Sequence, residues 1–198
     1  MKSNKFTSVL AAYVALFMFA AGCNTPAQET AADTSAAVTN PLFTIAPEEY
    51  AVLAEEAIMH VADDELEAWG AMMTDDVEFD FPDGDANTRT KLMGKVAVLD
   101  WWKKYREMPG VGAMTSSDFN HFPVEIIGDP KAGVSKGVYV ISYFTNSQII
   151  NGQTVSVRMN FATLFNADKK IATYYTYYDR TGIVQALGQN VLADSKAK

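Results

Sequence analysis

Apolar residues recur at helical spacing in three stretches of the first half of the chain. After Pro47, the residues Leu53, Ala57, Ile58 and Val61 share one helical face, which predicts an amphipathic helix that begins near that proline. Two further stretches show the same three-to-four-residue spacing. Their apolar faces comprise Leu66, Trp69 and Met73 in the second stretch, and Val98, Leu99, Trp102 and Tyr105 in the third. The first half therefore predicts three helices.

The second half of the chain alternates apolar and polar residues with a period of two, which is typical of half-buried strands. One such strand, 77–81, precedes the third helix. The longer predicted strands are 119–127, 138–150, 154–165 and 171–179. Asn151-Gly152 between two of them predicts a tight hairpin. Helices followed by a run of antiparallel strands predict an α+β fold, in which the helices cover one face of the sheet.

The N-terminus has a third pattern. Lys2 and Lys5 precede an unbroken apolar run over 9–21, and this stretch ends on the small residues Ala21 and Gly22. A basic start, a short apolar core and small residues at the end predict a secretory signal peptide over 1–22. A single membrane-spanning helix is the alternative, but the run is shorter than the about 20 residues that such a helix needs.

Cys23, the only cysteine of the chain, directly follows these small residues. The run 19–23 resembles a bacterial lipobox, although Ala20 stands where leucine is more usual. The resemblance implies that Cys23 is acylated, with palmitate-type chains, and becomes the mature N-terminus. Two or more acyl chains suffice for stable anchoring to a bilayer. We therefore expect a lipoprotein anchored in the bacterial cell envelope and facing the periplasm or the exterior. A buried free thiol is the alternative.

Composition divides the rest of the chain. Residues 24–40 are mostly small and polar, without an aromatic residue, so 23–45 is predicted to be a flexible tether. One domain is predicted over 46–190, followed by a C-terminal tail over 191–198.

The whole chain carries a net charge of −8, and the loss of 1–22 removes two lysines and no acid. This acidic balance disfavours nucleic acid as a partner, since phosphate binding needs a cationic patch.

The order of these elements is similar to that of the SnoaL-like, nuclear transport factor 2-like superfamily. The similarity lies in the paired first helices, the step into a strand at 74–77, Gly94 before the third helix, and 165–171 running into 174–179. It implies a cone-shaped fold, in which a strongly curved antiparallel sheet packs on the three helices and encloses a pocket. Members include ketosteroid isomerase, scytalone dehydratase, limonene epoxide hydrolase, polyketide cyclases and non-enzymatic binding proteins, so the fold does not choose an activity.

Positions at which enzymatic relatives carry an acid hold other residues here. In ketosteroid isomerase an aspartate precedes the proline after the first strand, and Phe81 stands there in this chain. The nearest acid, Asp80, falls on the opposite face of the strand by alternation. Limonene epoxide hydrolase and the polyketide cyclases carry an acid in the last strand at the position of Thr176, whose hydroxyl is no general base. These substitutions favour binding over catalysis.

His121 is the remaining candidate for acid–base chemistry, working with Asp80, because histidine titrates close to neutral pH. It lies where scytalone dehydratase places a pocket histidine. The alternative is a histidine of the rim or a turn, bonded to the backbone. The spacing of the two histidines matches no metal site, so we expect neither a metal nor a cofactor.

The last strand predicts the pocket. Alternation sends Tyr174, Thr176 and Tyr178 to one face, and the family resemblance implies that this face looks into the cone. Four apolar residues from other elements complete the predicted ligand-binding wall. They are Trp69, Trp102, Met159 and Phe161. Together these side chains suit a small, largely apolar ligand that phenol hydroxyls orient.

Tyr175 and Tyr177 fall on the opposite face of the last strand. Ordinary cross-strand packing explains them, and the alternative is a homodimer through that face.

The sequence therefore predicts a membrane-anchored domain that binds a small apolar molecule. One alternative function is a lyase, isomerase or hydrolase in which His121 acts as acid and base. The other is a dimeric interaction module with a vestigial pocket.

Overall fold

The computed structural model describes residues 41–83, 90–131 and 133–192. Its elements, in chain order, are β1 (Phe43–Ile45), α1 (Glu49–Ala62), α2 (Leu66–Ala71), β2 (Met73–Asp80), β3 (Lys91–Met93), α3 (Lys95–Arg106), β4 (Val111–Ile126), β5 (Gly137–Ile150), β6 (Gln153–Phe165), β7 (Ile171–Tyr177) and α4 (Thr181–Leu187). The predicted α+β class is confirmed. Cys23 and the predicted signal peptide lie outside the described residues. None of the described helices is long and apolar enough to cross a bilayer.

The seven described strands form one curved, unclosed sheet in the order β1-β4-β5-β6-β7-β2-β3. Neighbouring strands are antiparallel except β2 and β7, which run parallel. The sequence analysis expected an antiparallel sheet throughout. The difference arises because β2 enters the sheet beside the last strand rather than beside a consecutive one, and a parallel pair needs a long crossover between its strands.

The predicted hairpin between β5 and β6 is confirmed. Asn151 and Gly152 both have positive φ, 49° and 77°, and Ile150 pairs directly with Gln153. Two residues in the left-handed region form the tight turn that matches the twist of the flanking strands. This turn sets the register of β5 and β6, and thereby fixes which of their side chains face the helices.

The helices cover one face of the sheet. α1 packs on β4 and β5, α3 on β2, and α4 on β5 and β6. The inward residues of β5 alternate along the strand, with Val140 and Ile150 fully buried. On α1 the small residues Ala54 and Ala57 are also buried, so the helix lies close to the sheet. The core therefore lies between the helices and the concave face.

The two ends of the described chain differ from the sequence analysis. Phe43 and Ile45 lie in the predicted tether, yet they form β1 and pair with Ile126 and Val124 of β4. This three-residue strand follows a polar segment and has no periodicity of its own to reveal it. After β7 the chain forms a fourth helix, α4, and Leu192, in the predicted tail, is completely buried. The packed unit thus extends beyond 46–190 at both ends.

Candidate functional site

A cavity lies between the helices and the concave face of the sheet. Its volume is about 50 Å³, counted as the space open to the centres of water-sized spheres, and one water needs roughly 10–15 Å³ on this measure. Most of its wall is aromatic: Trp69, Phe79, Phe81, Trp101, Trp102, Tyr105, Phe144, Phe161, Tyr174 and Tyr178. Aliphatic and thioether side chains fill the gaps: Ala57, Ile58, Val61, Met114, Met159, Ile183 and Val191. The remaining lining residues are Ser116, Asn146, Gln148 and Arg180.

The structure brings six of the seven predicted ligand-binding residues together around this cavity. They come from four separate elements and the segment after β7. The six are Trp69, Trp102, Met159, Phe161, Tyr174 and Tyr178. The seventh, Thr176, is completely buried but does not line the cavity. Its hydroxyl donates a hydrogen bond of 2.7 Å to the backbone carbonyl of Asp80, so it joins β7 to β2.

One buried hydrogen bond holds the aromatic wall in place. The indole Nε1–H of Trp69 donates to the hydroxyl of Tyr174 over 2.7 Å, and both side chains are almost inaccessible to water. Burial raises the pKa of the Tyr174 phenol well above its ordinary value, and does the same for Tyr178. Both rings therefore stay neutral near pH 7 and can act as hydrogen-bond donors but not as bases.

A row of polar side chains crosses the otherwise apolar wall. The hydroxyl of Tyr105 donates to Gln148, whose Nε2 donates to Asn146 Oδ1 over 2.8 Å. Asn146 in turn donates to the Ser116 hydroxyl over 3.3 Å. Burial raises the pKa of Tyr105 to about 12. The row offers a ligand polar contacts without a titrating group near pH 7.

The sequence analysis missed this polar row, although β5 carries a signal for it. Asn146 and Gln148 occupy the same alternate positions as the buried Val140, Phe144 and Ile150. Polar residues at inward positions of a strand need partners, because burying an unpaired amide is costly. Two amides in that register therefore indicate a buried polar network.

Arg180 lies where the cavity meets the surface. It and Tyr178 line both the cavity and a shallow groove outside it, so the groove is the mouth of the cavity. The guanidinium Nη1 donates to Asn190 Oδ1 over 3.1 Å. Within the described ranges, no carboxylate oxygen lies within 4 Å of this guanidinium. The mouth thus carries one guanidinium without an ion-pair partner in the described structure, and the carboxylates of Asp83 and Asp179 line the same groove.

His121, the predicted acid–base residue, does not line the cavity. Its ring lies between β5 and α1: Nδ1 is 2.8 Å from the Ser142 hydroxyl, and Nε2 is 3.1 Å from Glu55 Oε2. A ring with its proton on Nε2 satisfies both contacts. Ser142 is completely buried, so its hydroxyl is not accessible to a substrate. This geometry attaches α1 to the sheet.

Asp80, the predicted partner of His121, lies far from it. β5, β6 and β7 separate their strands, and Asp80 points to the outer face while His121 faces α1. The Asp80 carboxylate is 3.3 Å from Lys91 Nζ, and its Oδ1 has no hydrogen-bond partner in the described structure. The predicted catalytic pair is therefore wrong, because alternation turns Asp80 away from the cavity that Phe79 and Phe81 line.

Metal-ligating residues do not converge in the part of the chain that the structure describes. No group of three or more histidine, cysteine, aspartate or glutamate side chains is placed there to hold a metal ion. The acidic residues of β2 are instead engaged by lysines, with Asp75 2.8 Å from Lys95 and Glu78 paired with Lys91.

The sequence matches no protein-family model and no curated relative. Solved structures do resemble it. A candidate isomerase from Bacillus subtilis superimposes with a TM-score of 0.51 at 16% identity, over 72% of this chain and 95% of its own. A nuclear transport factor 2-like protein from Anabaena variabilis gives 0.50 at 18% identity, over 68% and 90%.

A third similar structure is a candidate polyketide cyclase from Xanthomonas campestris, with a TM-score of 0.50 at 14% identity, over 71% of this chain and 97% of its own. Identities this low are evidence of a shared fold and not of a shared activity. The element order, the curved sheet and the cavity agree with that fold. The chain therefore has the nuclear transport factor 2-like, SnoaL-like fold that the sequence resemblance implied.

Proposed function

We propose that this protein binds a small, largely apolar molecule in the cavity between its helices and sheet. The observation that carries the proposal is the convergence of ten aromatic side chains on one enclosed space. Concave, mostly apolar sites with a few polar groups are the usual form of small-molecule sites. Met114 and Met159 also line the wall, and their flexible side chains can adapt to a ligand's shape.

The chemistry of the wall favours binding over catalysis. Among its described residues there is no histidine, aspartate, glutamate, lysine or cysteine. General acid–base chemistry needs a group that titrates near the working pH within hydrogen-bond reach of the ligand. The alternative of a lyase, isomerase or hydrolase depends on His121, whose two ring nitrogens are engaged by Ser142 and Glu55 outside the cavity.

Intrinsic fluorescence tests the proposal directly. The chain has three tryptophans, and all of them, Trp69, Trp101 and Trp102, line the cavity. We expect a neutral apolar probe such as ethylbenzene to change their emission in a saturable way. Ala57, which is fully buried in the wall, is replaced by leucine to fill the space. The Ala57→Leu variant should bind ethylbenzene at least tenfold more weakly, about 1.4 kcal/mol.

Ala68→Leu is the matched control, because Ala68 is exposed on α2 and does not line the cavity. It should bind the probe like the unmodified protein. If ethylbenzene and a series of larger apolar probes all leave the emission unchanged, the binding function is wrong. If Ala57→Leu binds as tightly as the parent, the ligand occupies a different place.

We also propose that the domain is held at a bacterial membrane through acylated Cys23. The support is the N-terminal sequence, in which a signal-peptide pattern ends on a lone cysteine. Cys23→Ala should release the protein into the soluble fraction and abolish fatty-acid labelling, whereas Asn24→Ala should leave both unchanged. Membrane retention of the Cys23→Ala protein would contradict the proposal.

A homodimer through the outer face of the sheet is the second proposed function. Three aromatic side chains on this face are unusually exposed: Phe122 at 54%, Tyr143 at 43% and Tyr177 at 50%. In the sheet, Asn160 of β6 is paired with Tyr143 of β5 on one side and with Tyr177 of β7 on the other. The rings of Phe122 and Tyr143 are in contact, with their centroids 6.2 Å apart. Exposed aromatic side chains grouped on one face of a sheet are typical of interaction sites.

Light scattering after gel filtration tests the dimer. Tyr143→Asp should convert a dimer into a monomer, because it places a charge in the apolar patch. Val52→Asp is the matched control, since Val52 is 63% exposed on α1, on the other side of the sheet. A parent protein that is monomeric at high micromolar concentration would contradict this proposal and leave the binding function standing.

A further inference from the structure

The charge of the cavity wall is concentrated at one point. Of its described lining residues, Arg180 alone carries a full charge. The other polar groups of the wall, Ser116, Asn146 and Gln148, are neutral and already bonded to one another or to Tyr105. An apolar ligand that fills the cavity therefore meets, where the cavity opens, one cation that has no ion-pair partner in the described structure.

Two acids lie near the mouth, and neither forms an ion pair with this cation. Asp83 and Asp179 line the outer groove, but neither lies within 4 Å of the Arg180 guanidinium, and neither lines the inner cavity. Asp83 Oδ2 accepts a hydrogen bond of 3.1 Å from the Thr90 hydroxyl. Asp179 Oδ1 accepts one of 2.8 Å from the Thr181 backbone N–H, which lowers the Asp179 pKa. Both acids have protein partners of their own.

The Arg180 side chain is also directed by its surroundings. Asn190 accepts from one of its terminal nitrogens, Nη1, over 3.1 Å. An arginine carries five N–H donors in a planar fork, so this single bond leaves donors available to a second acceptor. The hydroxyl-bearing rings of Tyr105 and Tyr178 line the cavity beside it and stay neutral near pH 7.

We propose that the ligand of this cavity is a compact apolar molecule with a carboxylate, and that Arg180 binds the carboxylate at the mouth. This inference rests on the proposed binding function and adds the chemical class of the ligand. A guanidinium and a carboxylate form paired, charge-assisted hydrogen bonds, which are shorter and stronger than neutral ones. The apolar body lies inward against the aromatic wall.

Two probes of the same shape test the proposal. Phenylacetate carries a carboxylate that is ionised at pH 7, and phenylacetamide replaces it with a neutral amide. Binding of both is followed by tryptophan fluorescence and by calorimetry. The unmodified protein should bind phenylacetate at least tenfold more tightly than phenylacetamide. Arg180→Gln should remove this preference while phenylacetamide still binds, and Arg180→Lys should retain part of it.

Arg158→Gln is the matched control, because Arg158 is an exposed arginine of β6 that contacts Asp118 and Thr145 away from the cavity. It should keep the full preference for phenylacetate. Equal affinity for the two probes, or an undiminished preference in Arg180→Gln, overturns the carboxylate proposal and leaves apolar binding intact. If phenylacetamide, phenylacetate and ethylbenzene all fail to bind, the proposed function itself is wrong.

Discussion

Tyr174 shows how one hydroxyl contributes to the stability of the aromatic wall. Replacing it with phenylalanine keeps the ring but leaves the buried Trp69 Nε1–H without its acceptor. An unsatisfied buried donor costs about 1–3 kcal/mol, and we expect Tyr174→Phe to lose that amount in the free energy of urea unfolding. Tyr143→Phe, at a 43% exposed position, is the control and should change stability little. Equal stability of Tyr174→Phe and the parent would contradict this role.

We expect the Asp80 carboxylate to lower the stability of the fold, in contrast to the Tyr174 hydroxyl. Burial raises its pKa, the neighbouring Glu78 raises it further, and Lys91 only partly opposes them. A carboxyl with a raised folded-state pKa is penalised when it ionises. The penalty is present above that pKa and disappears once the pH falls below the ordinary value near 4. Asp80→Asn should therefore raise the free energy of unfolding at pH 7 by on the order of 1 kcal/mol or less, and the melting temperature with it.

The pH dependence separates this effect from a general change in packing. The advantage of Asp80→Asn over the parent should shrink as the pH falls toward 4, because the parent's carboxyl then takes up a proton. Melting curves of both proteins at several pH values give the comparison. An advantage that is constant with pH, or a lower melting temperature at pH 7, would show that the ion pair with Lys91 outweighs burial.

Among the elements, α3 depends on a glycine at its start. Gly94 has φ 87° and ψ 146°, a backbone conformation that is essentially restricted to glycine, and its N–H donates to the Val77 carbonyl over 2.8 Å. Gly94→Ala should cost about 1–3 kcal/mol of unfolding free energy, because alanine is strained there. The change also weakens the placement of Trp101, Trp102 and Tyr105, the α3 residues of the cavity wall.

Gly182→Ala on α4 is the matched control for the element prediction. Gly182 has no positive φ, and a Cβ there would lie 3.4 Å from the nearest side-chain atom, Val155 Cγ1. Alanine should be tolerated or slightly stabilising in a helix. Chemical denaturation of both variants measures the difference, and a Gly94→Ala protein as stable as Gly182→Ala would contradict the argument.

At the scale of the molecule, the parallel pairing of β2 with β7 makes the two ends of the fold interdependent. β2 and β3 attach to the sheet only through β7 in the described structure. A chain that ends after Asn166 lacks β7, so it also loses the anchoring of β2 and the cavity residues Tyr174, Tyr178 and Arg180. We expect it to unfold without a cooperative transition in circular dichroism, whereas the intact chain unfolds in one step.

Local spacing was sufficient to predict much of this protein. The period of apolar residues predicted three of the four described helices and most strands, and Asn151-Gly152 predicted the hairpin. Alternation placed Tyr174 and Tyr178 on one face of the last strand, which the family resemblance identified as the inner face, and placed Asp80 on the face opposite to Phe81. These properties follow from backbone geometry over a few residues, so the sequence alone determines them.

Only the tertiary structure decided which distant residues meet. The sheet order places three strands between Asp80 and His121, brings Glu55 to His121, and places Arg180 at the mouth of the cavity beside Tyr178. No local period encodes these contacts, because they depend on how a curved sheet packs against helices that lie far away in the sequence. The sequence thus determined the faces of the elements, and the packing of those faces decided the site.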